Sequence, residues 1–299
     1  MRSCSCHARR IGRQVLLVLL ALSFLPVASS AYFERLQASA RATSFGGAYS
    51  AVANDASAAF YNPAAMVAMN RAETLAMYAK PFNIEGYQAS YIGAVLPRDG
   101  ISLGAYWHRT GVSDVMSENL IGLSAGRDLL PPGGDIALAV GGTLKIAQVG
   151  YAQDGDADYG SQTKATADLS ALLNVTEKVA FSYALRNVVE PEFDFVSGSG
   201  GTPLLRTNDL GVSYRWNPAS IVAATVSQNA YQEWRVQLGG EVWFQEVFAV
   251  RSGFVEGDFA GGVGLKATNF LVDISFLTNA ALGVSYEVAL RVPFGDQRW

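Results

Sequence analysis

A chain built for catalysis or metal binding would cluster His, Cys, Asp and Glu, and this sequence offers few such clusters. Its cysteines are Cys4 and Cys6, and its histidines are His7 and His108. His108 stands beside Trp107 with no serine or acid at a spacing that would make it a base, so hydrolysis has no residues to run on. Asp154, Asp156 and Asp158 open like a calcium loop, but the positions of that pattern that want Gly and Glu hold Tyr159 and Ala165. The run reads as a solvated acidic loop. No enzyme activity, cofactor or metal is expected. What remains is a set of charges dispersed singly through apolar segments: Lys145, Arg186, Arg215, Arg235, Glu241, Arg251, Lys266, Asp273, Glu287 and Arg291. Such charges are tolerated where they face a polar interior or an opposite charge. They could line a route. Their mixed signs favour mutual neutralisation instead.

The segments carrying these charges have a period of two. Val284, Tyr286, Val288, Leu290, Val292 and Phe294 fall on one face, opposite Ser285, Glu287, Ala289 and Arg291. Trp234, Val236 and Leu238 oppose Glu233, Arg235 and Gln237 in the same way. Leu210, Val212, Tyr214 and Trp216 oppose Asp209, Ser213 and Arg215. The chain has 299 residues, 50% hydrophobic and 16% charged, with a mean hydropathy of +0.17. Yet no segment beyond the leader approaches the roughly 18 apolar residues of a membrane helix. Alternating segments of about 9–12 residues suit strands that cross a bilayer at a tilt better than the shorter strands of a soluble sandwich. Aromatics near strand ends (Tyr78, Tyr87, Trp107, Trp216, Trp243 and Phe294) suit interfacial girdles.

Turn residues divide the chain into strands near 73–80, 86–97, 99–110, 117–128, 134–149, 164–174, 177–187, 206–217, 219–228, 233–244, 247–257, 259–268, 270–278 and 281–294. This predicts an all-β fold, a transmembrane antiparallel barrel of about fourteen strands. An even number puts both chain ends on one side. Connections on that side are short, such as Asn217-Pro218 and Gln245-Glu246. The two longest, about 150–163 and 188–205, fall opposite. That asymmetry is expected of bacterial outer-membrane barrels, with short periplasmic turns.

The N-terminus is read as a secretory signal over residues 1–31. Arg2, Arg9, Arg10 and Arg13 precede an apolar run from Val15 to Leu25, then Pro26 and the small residues Ala28 to Ala31. Cleavage after Ala31 would remove both cysteines, leaving no disulfide or thiolate chemistry. The remaining chain is acidic and has no basic patch, so nucleic acid is not an expected partner.

Residues 32–72 break the barrel pattern. They are rich in Ala and Ser, with Gly46-Gly47 allowing positive φ and Asn62 held out of helix by Pro63. A small-residue segment ahead of a barrel is either a plug folded into the lumen or a tail. The runs Phe45-Gly46-Gly47-Ala48-Tyr49, Val52 to Ala58 and Tyr61-Asn62-Pro63-Ala64 resemble the N-terminal signature of the FadL/PorV superfamily of outer-membrane barrels. Toward the other end, Val250-Arg251-Ser252-Gly253-Phe254, Gly264-Leu265-Lys266 with Asn269-Phe270 and Asp273, and Val284 to Phe294 are similar to its PorV-like branch.

That resemblance implies a fourteen-stranded barrel with an N-terminal hatch over residues 32–72, inside a barrel domain of residues 73–299. It makes Gly46, Gly47, Asp55, Asn62, Pro63 and Ala64 the hatch motif, with Asp55 and Asn62 tying hatch backbone to wall. Phe45, Tyr49 and Phe60 would edge an apolar pocket. The function implied is passive transport of a hydrophobic small molecule, of fatty acid or hydrocarbon type, by a monomer in outer-membrane lipid. The alternative is a PorV-like barrel that does not transport but docks an exported protein, as in type IX secretion. The chain is shorter than typical fatty acid transporters, which trims the external loops that form part of their capture site. Phe294 or Trp299 would supply the terminal aromatic of the assembly signal.

Overall fold

The computed structural model describes residues 33, 37–98, 100–130, 132, 136–152, 160–195, 201–231 and 233–295. The expected signal segment, the Asp154–Asp158 run and Trp299 lie outside the described residues. Among those described, no helix is long and apolar enough to cross a membrane.

Period-two sequence becomes strand throughout the second part of the chain. The strands are β1 (Ala72–Lys80), β2 (Tyr87–Pro97), β3 (Ser102–Val112), β4 (Met116–Leu130), β5 (Ala137–Tyr151), β6 (Ser161–Asn174) and β7 (Val179–Arg186). Two very short strands, β8 (Glu192–Phe193) and β9 (Thr202–Pro203), pair with each other outside the barrel sheet. The barrel resumes with β10 (Thr207–Asn217), β11 (Ser220–Asn229), β12 (Trp234–Phe244), β13 (Phe248–Val255), β14 (Asp258–Lys266), β15 (Leu271–Asn279) and β16 (Gly283–Phe294). Each strand pairs antiparallel with its neighbours, and β1 closes on β16 from Ala72↔Phe294 to Lys80↔Tyr286. The fold is therefore a closed fourteen-stranded barrel, as expected from the sequence. Closure leaves no unpaired edge, the condition for a sheet to stand in hydrocarbon.

The faces divide as the alternation requires. Outward side chains form an exposed apolar surface that includes Ile92, Ile121, Leu144, Leu169, Leu210, Val236, Ile274 and Leu290. A surface of that kind is stable in lipid, not in water. Tyr87 shares the inward parity of Ala89 and Tyr91 on β2 rather than facing lipid, and Trp243 also departs from its expected place in a girdle. It has inward parity on β12, and the Arg251 guanidinium lies 5.7 Å above its ring, so the indole shields a charge instead of meeting the membrane surface. Phe244 and Phe248, with ring centroids 6.3 Å apart, take the outer position there.

Ahead of β1, the chain forms short helices at Ala40–Ser44 and Ala58–Tyr61 and a 3-10 helix at Pro63–Ala68. Nearly every residue from Ala38 to Met66 is buried, and the partners that bury them are inward-facing side chains of the barrel. This N-terminal segment occupies the interior.

Candidate functional site

The segment is too rich in Ala to hold itself in place by large side chains, so much of its backbone must find partners in the wall. Inward side chains supply several. Ser124 Oγ donates to the Ala59 carbonyl at 2.7 Å, and Ser213 Oγ to the Ala51 carbonyl at 3.2 Å. The Ala56 amide donates to Glu73 at 2.9 Å. Within the segment itself, the Ala38 amide donates to Tyr61 Oη at 3.0 Å. On the β3 side, His108 Nε2 lies 2.8 Å from the Gln37 carbonyl.

Two glycine pairs let the segment touch the sheet itself. Gly239 and Gly253 face each other across β12 and β13, and Phe45-Gly46 lies directly upon them. A Cβ on Gly253 would sit 2.2 Å from the Gly46 nitrogen. Gly46 and Gly47 themselves have φ of +63° and +84°, a region that disfavours any residue with a Cβ. The second pair is Gly126 and Gly141 on β4 and β5, where a Cβ on Gly141 would lie 2.4 Å from the Ala64 nitrogen. Asn62-Pro63-Ala64 rests there. Asn62 Nδ2 donates to the Ser50 carbonyl at 2.7 Å, while its Oδ1 accepts from the Ala64 amide at 3.1 Å. The Ala64 amide also reaches Ser170 Oγ at 3.0 Å. Pro63 has no amide to satisfy and opens the 3-10 helix.

The dispersed charges meet in one place. Arg41 pairs with Glu241 at 2.8 Å, and Glu241 with Arg251 at 2.6 Å. Arg251 pairs with Asp273 at 2.7 Å, and Asp273 with Arg291 at 3.0 Å. Arg291 and Arg41 both approach Asp55 at 3.5 Å, which closes an alternating ring. Arg41 and Asp55 belong to the N-terminal segment, and the other members stand on β12, β13, β15 and β16. All are buried, and Tyr49 Oη adds a 2.5 Å hydrogen bond to Asp55. Burial alone would raise the Asp55 carboxyl, but Arg291 and Arg41 outweigh it and hold it below its ordinary value. Its stabilising contribution is therefore complete above the ordinary carboxylate range, about pH 4, and fades as pH falls through the depressed value. The gap in urea midpoint between the protein and Asp55→Asn is expected to hold from neutral pH down to that range and then to close.

Other charges lie elsewhere. Lys145 pairs with Asp168 at 2.6 Å, and Arg186 with Asp209 at 2.9 Å while lying over the rings of Phe60 and Tyr61. Glu287 accepts from Ser275 Oγ at 3.4 Å. Arg215, Arg235 and Lys266 have inward parity but sit at strand ends. Arg215 and Lys266 are exposed, and Arg235 is half-buried at the opposite rim, paired with Glu256 at 3.0 Å. Parity alone could not reveal this, because it gives the face of a strand and not the depth.

Phe45, Tyr49 and Phe60 are packed side chains at 0%, 0% and 6% exposure, with Phe45–Tyr49 and Phe60–Tyr61 edge contacts. Phe60 also packs against Tyr91, Tyr106 and His108, an inward aromatic group on β2 and β3 that sequence reasoning missed. Tyr106 and His108 stand two residues apart on β3, the spacing that puts both on one face. An apolar groove of about 580 Å³ lies on the other side of the wall from Phe45. Its outward floor is Ala224, Gly240 and Ser252, and its flanks include Tyr214, Leu238, Phe254 and Phe259.

No family model matches the chain, and no curated protein matches it. Solved structures do. A structure described as the CymD monoaromatic hydrocarbon channel aligns with a TM-score of 0.60 at 13% identity, covering 85% of this chain and 97% of that one. The toluene transporter TodX of P. putida aligns with a TM-score of 0.57 at 10% identity, covering 85% and 98%. A TodX variant described as a deltaS2 mutant gives 0.54 at 9%, covering 80% and 94%. These are described as channels and transporters rather than enzymes, and nothing in them supports the PorV-like branch over others. At such identities the likeness is one of fold: the closed antiparallel barrel of this chain aligns over most of its length with theirs.

Proposed function

We propose that the chain is an outer-membrane conduit for small hydrophobic molecules, with residues 32–72 as its hatch and the end that holds both chain termini facing the periplasm. The observation that carries the reading is the apolar groove on the barrel flank. There the wall is thin on both faces, with Gly239 and Gly253 inside and the small residues Ala224, Gly240 and Ser252 outside. Only sheet backbone separates the groove from Phe45. The groove could hold a hydrophobic molecule at the lipid-facing surface, burial of its surface supplying the affinity, while the unbroken ladder beneath it sends passage by way of the barrel's ends. The described names of the matched channels support an aromatic or other hydrocarbon cargo. The secretion-accessory alternative has no comparable observation behind it.

The test is uptake of labelled toluene, and separately of a labelled fatty acid, by cells carrying Gly240→Phe. A Cβ at Gly240 meets nothing closer than 3.5 Å, so this substitution fills the groove without touching the hatch. Uptake is expected to fall about ten-fold, the loss of an apolar site worth roughly 1.4 kcal/mol or more. Asn62→Ala should alter uptake as well, by freeing the Ser50 carbonyl and leaving the Ala64 amide to Ser170 alone. Unchanged rates in both variants, with the protein present in outer membranes, would count against transport.

A further inference from the structure

On the flank formed by β2 to β6, the outward surface changes character in successive rows. Register pairs give the rows directly. Ile92, Trp107, Ile121, Ile146 and Ala165 are aligned across the five strands. One step toward the long-loop end, the aligned outward residues are Ser90, Arg109, Asn119, Gln148 and Thr163. The next step aligns Gln88, Gly111, Ser117, Gly150 and Ser161. Two polar rows thus stand above an apolar one, each row about 7 Å from the next along the strands. Trp107 marks the boundary, its Nε1 donating to Asn119 Oδ1 at 3.3 Å. That is the posture of an interfacial tryptophan, with its ring toward hydrocarbon and its N–H toward the polar layer.

The two polar rows are not flat. Small residues at Gly111, Ser117, Gly150 and Ser161 recess the surface into a groove of about 580 Å³, lined also by Gln88, Ser90, Arg109 and Asp114. Arg109 is exposed and has no ion pair among the described residues. The flank across the barrel is built differently, since outward Trp234 and Phe259 carry apolar surface close to the same rim.

We propose that this groove binds the phosphorylated sugar headgroup of a membrane glycolipid, in the leaflet next to the long-loop end. Arg109 pairs with the phosphate, and Gln88, Ser90, Ser117 and Ser161 meet sugar hydroxyls. The lipid's acyl chains run down over Ile92, Trp107, Ile121 and Ile146. The site's place argues for a lipid rather than a soluble sugar: the groove opens outward, directly above the apolar surface that meets the membrane. A guanidinium matches a phosphate by paired hydrogen bonds, and one without a protein partner is free to do so. The proposal goes beyond transport and depends only on the apolar surface lying in lipid.

Full-length protein in detergent, probed by native mass spectrometry with lipid A, phosphatidylglycerol or inorganic phosphate, tests this. Lipid A is expected to bind in preference to phosphatidylglycerol, and inorganic phosphate should not displace it. Arg109→Ala should weaken lipid A binding about ten-fold or more, the loss of a charge-assisted hydrogen bond. Ser117→Tyr should do the same by filling the groove, while Arg235→Ala, at the rim on the far side of the barrel, should leave binding intact. Folding of each variant is checked by its heat-dependent mobility on gels. Equal binding of lipid A and phosphatidylglycerol would overturn the proposal, as would displacement by phosphate or indifference to both groove substitutions.

Discussion

Arg251→Met is expected to destabilise the folded barrel by about 3–5 kcal/mol, the cost of leaving buried charges without their partner. Arg251 is enclosed, bonds Glu241 and Asp273 at once, and has Trp243 beneath it. Removing it breaks the alternating ring at its most buried link. Glu241 would keep Arg41, and Asp273 would keep Arg291, so the remaining ring is an open chain with excess negative charge. Gly264 shows how closely the link is fitted, for a Cβ there would lie 2.6 Å from Arg251 Nη2 and 2.7 Å from Asp273 Oδ1. Urea unfolding in detergent, followed by tryptophan fluorescence, reads the effect. Adding Glu241→Gln to Arg251→Met should recover part of the loss, because it removes the excess negative charge of the open chain. A double variant no more stable than the single one would show that the ring is not the source of the stability.

The ring also shows what a sequence can and cannot carry. Alternation and turn residues together located the barrel strands to within a few residues, because a wall with lipid on one side and polar partners on the other imposes period two along nearly all of each strand, bulges at Asp128/Leu130 and Arg215/Asn217 aside. Alternation placed Glu241, Arg251, Asp273 and Arg291 on inward faces. It could not say that Arg41 and Asp55, from a segment with no periodic pattern, would complete the set. Nor could it separate these from Arg215 and Arg235, which share the parity but stand at the rims. Trp243 was misplaced for the related reason that an aromatic near a strand end suits either face, and only the charge beneath which it lies decides. The motif Asn62-Pro63-Ala64 was conspicuous in sequence, while its seat on Gly126 and Gly141 was not. An isolated glycine in a strand says that something approaches closely, without saying what.

Gly253→Val turns that last point into an experiment with a large expected effect. The substitution puts side-chain atoms where the Phe45 carbonyl carbon and the Gly46 nitrogen now lie, and neither backbone atom can yield as a flexible side chain would. Strand pairing of β12, β13 and β14 does not depend on an inward glycine, and valine is at home in a strand. The barrel should therefore still form, with its heat-dependent gel mobility retained, while Phe45-Gly46-Gly47 is driven from the wall. If residues 32–72 are a hatch, displacement has two consequences. The segment should become open to added protease, with cleavage near Phe45 and Tyr49 that the unsubstituted protein resists. Ion conductance in planar bilayers should rise, since the charged interior would be exposed to water. Gly240→Phe, on the neighbouring strand β12 and facing outward, should cause neither change. A Gly253→Val barrel that stays folded, closed to ions and resistant to protease would mean that the segment does not depend on this seat, and the hatch reading would have to be given up for one in which it is a fixed core.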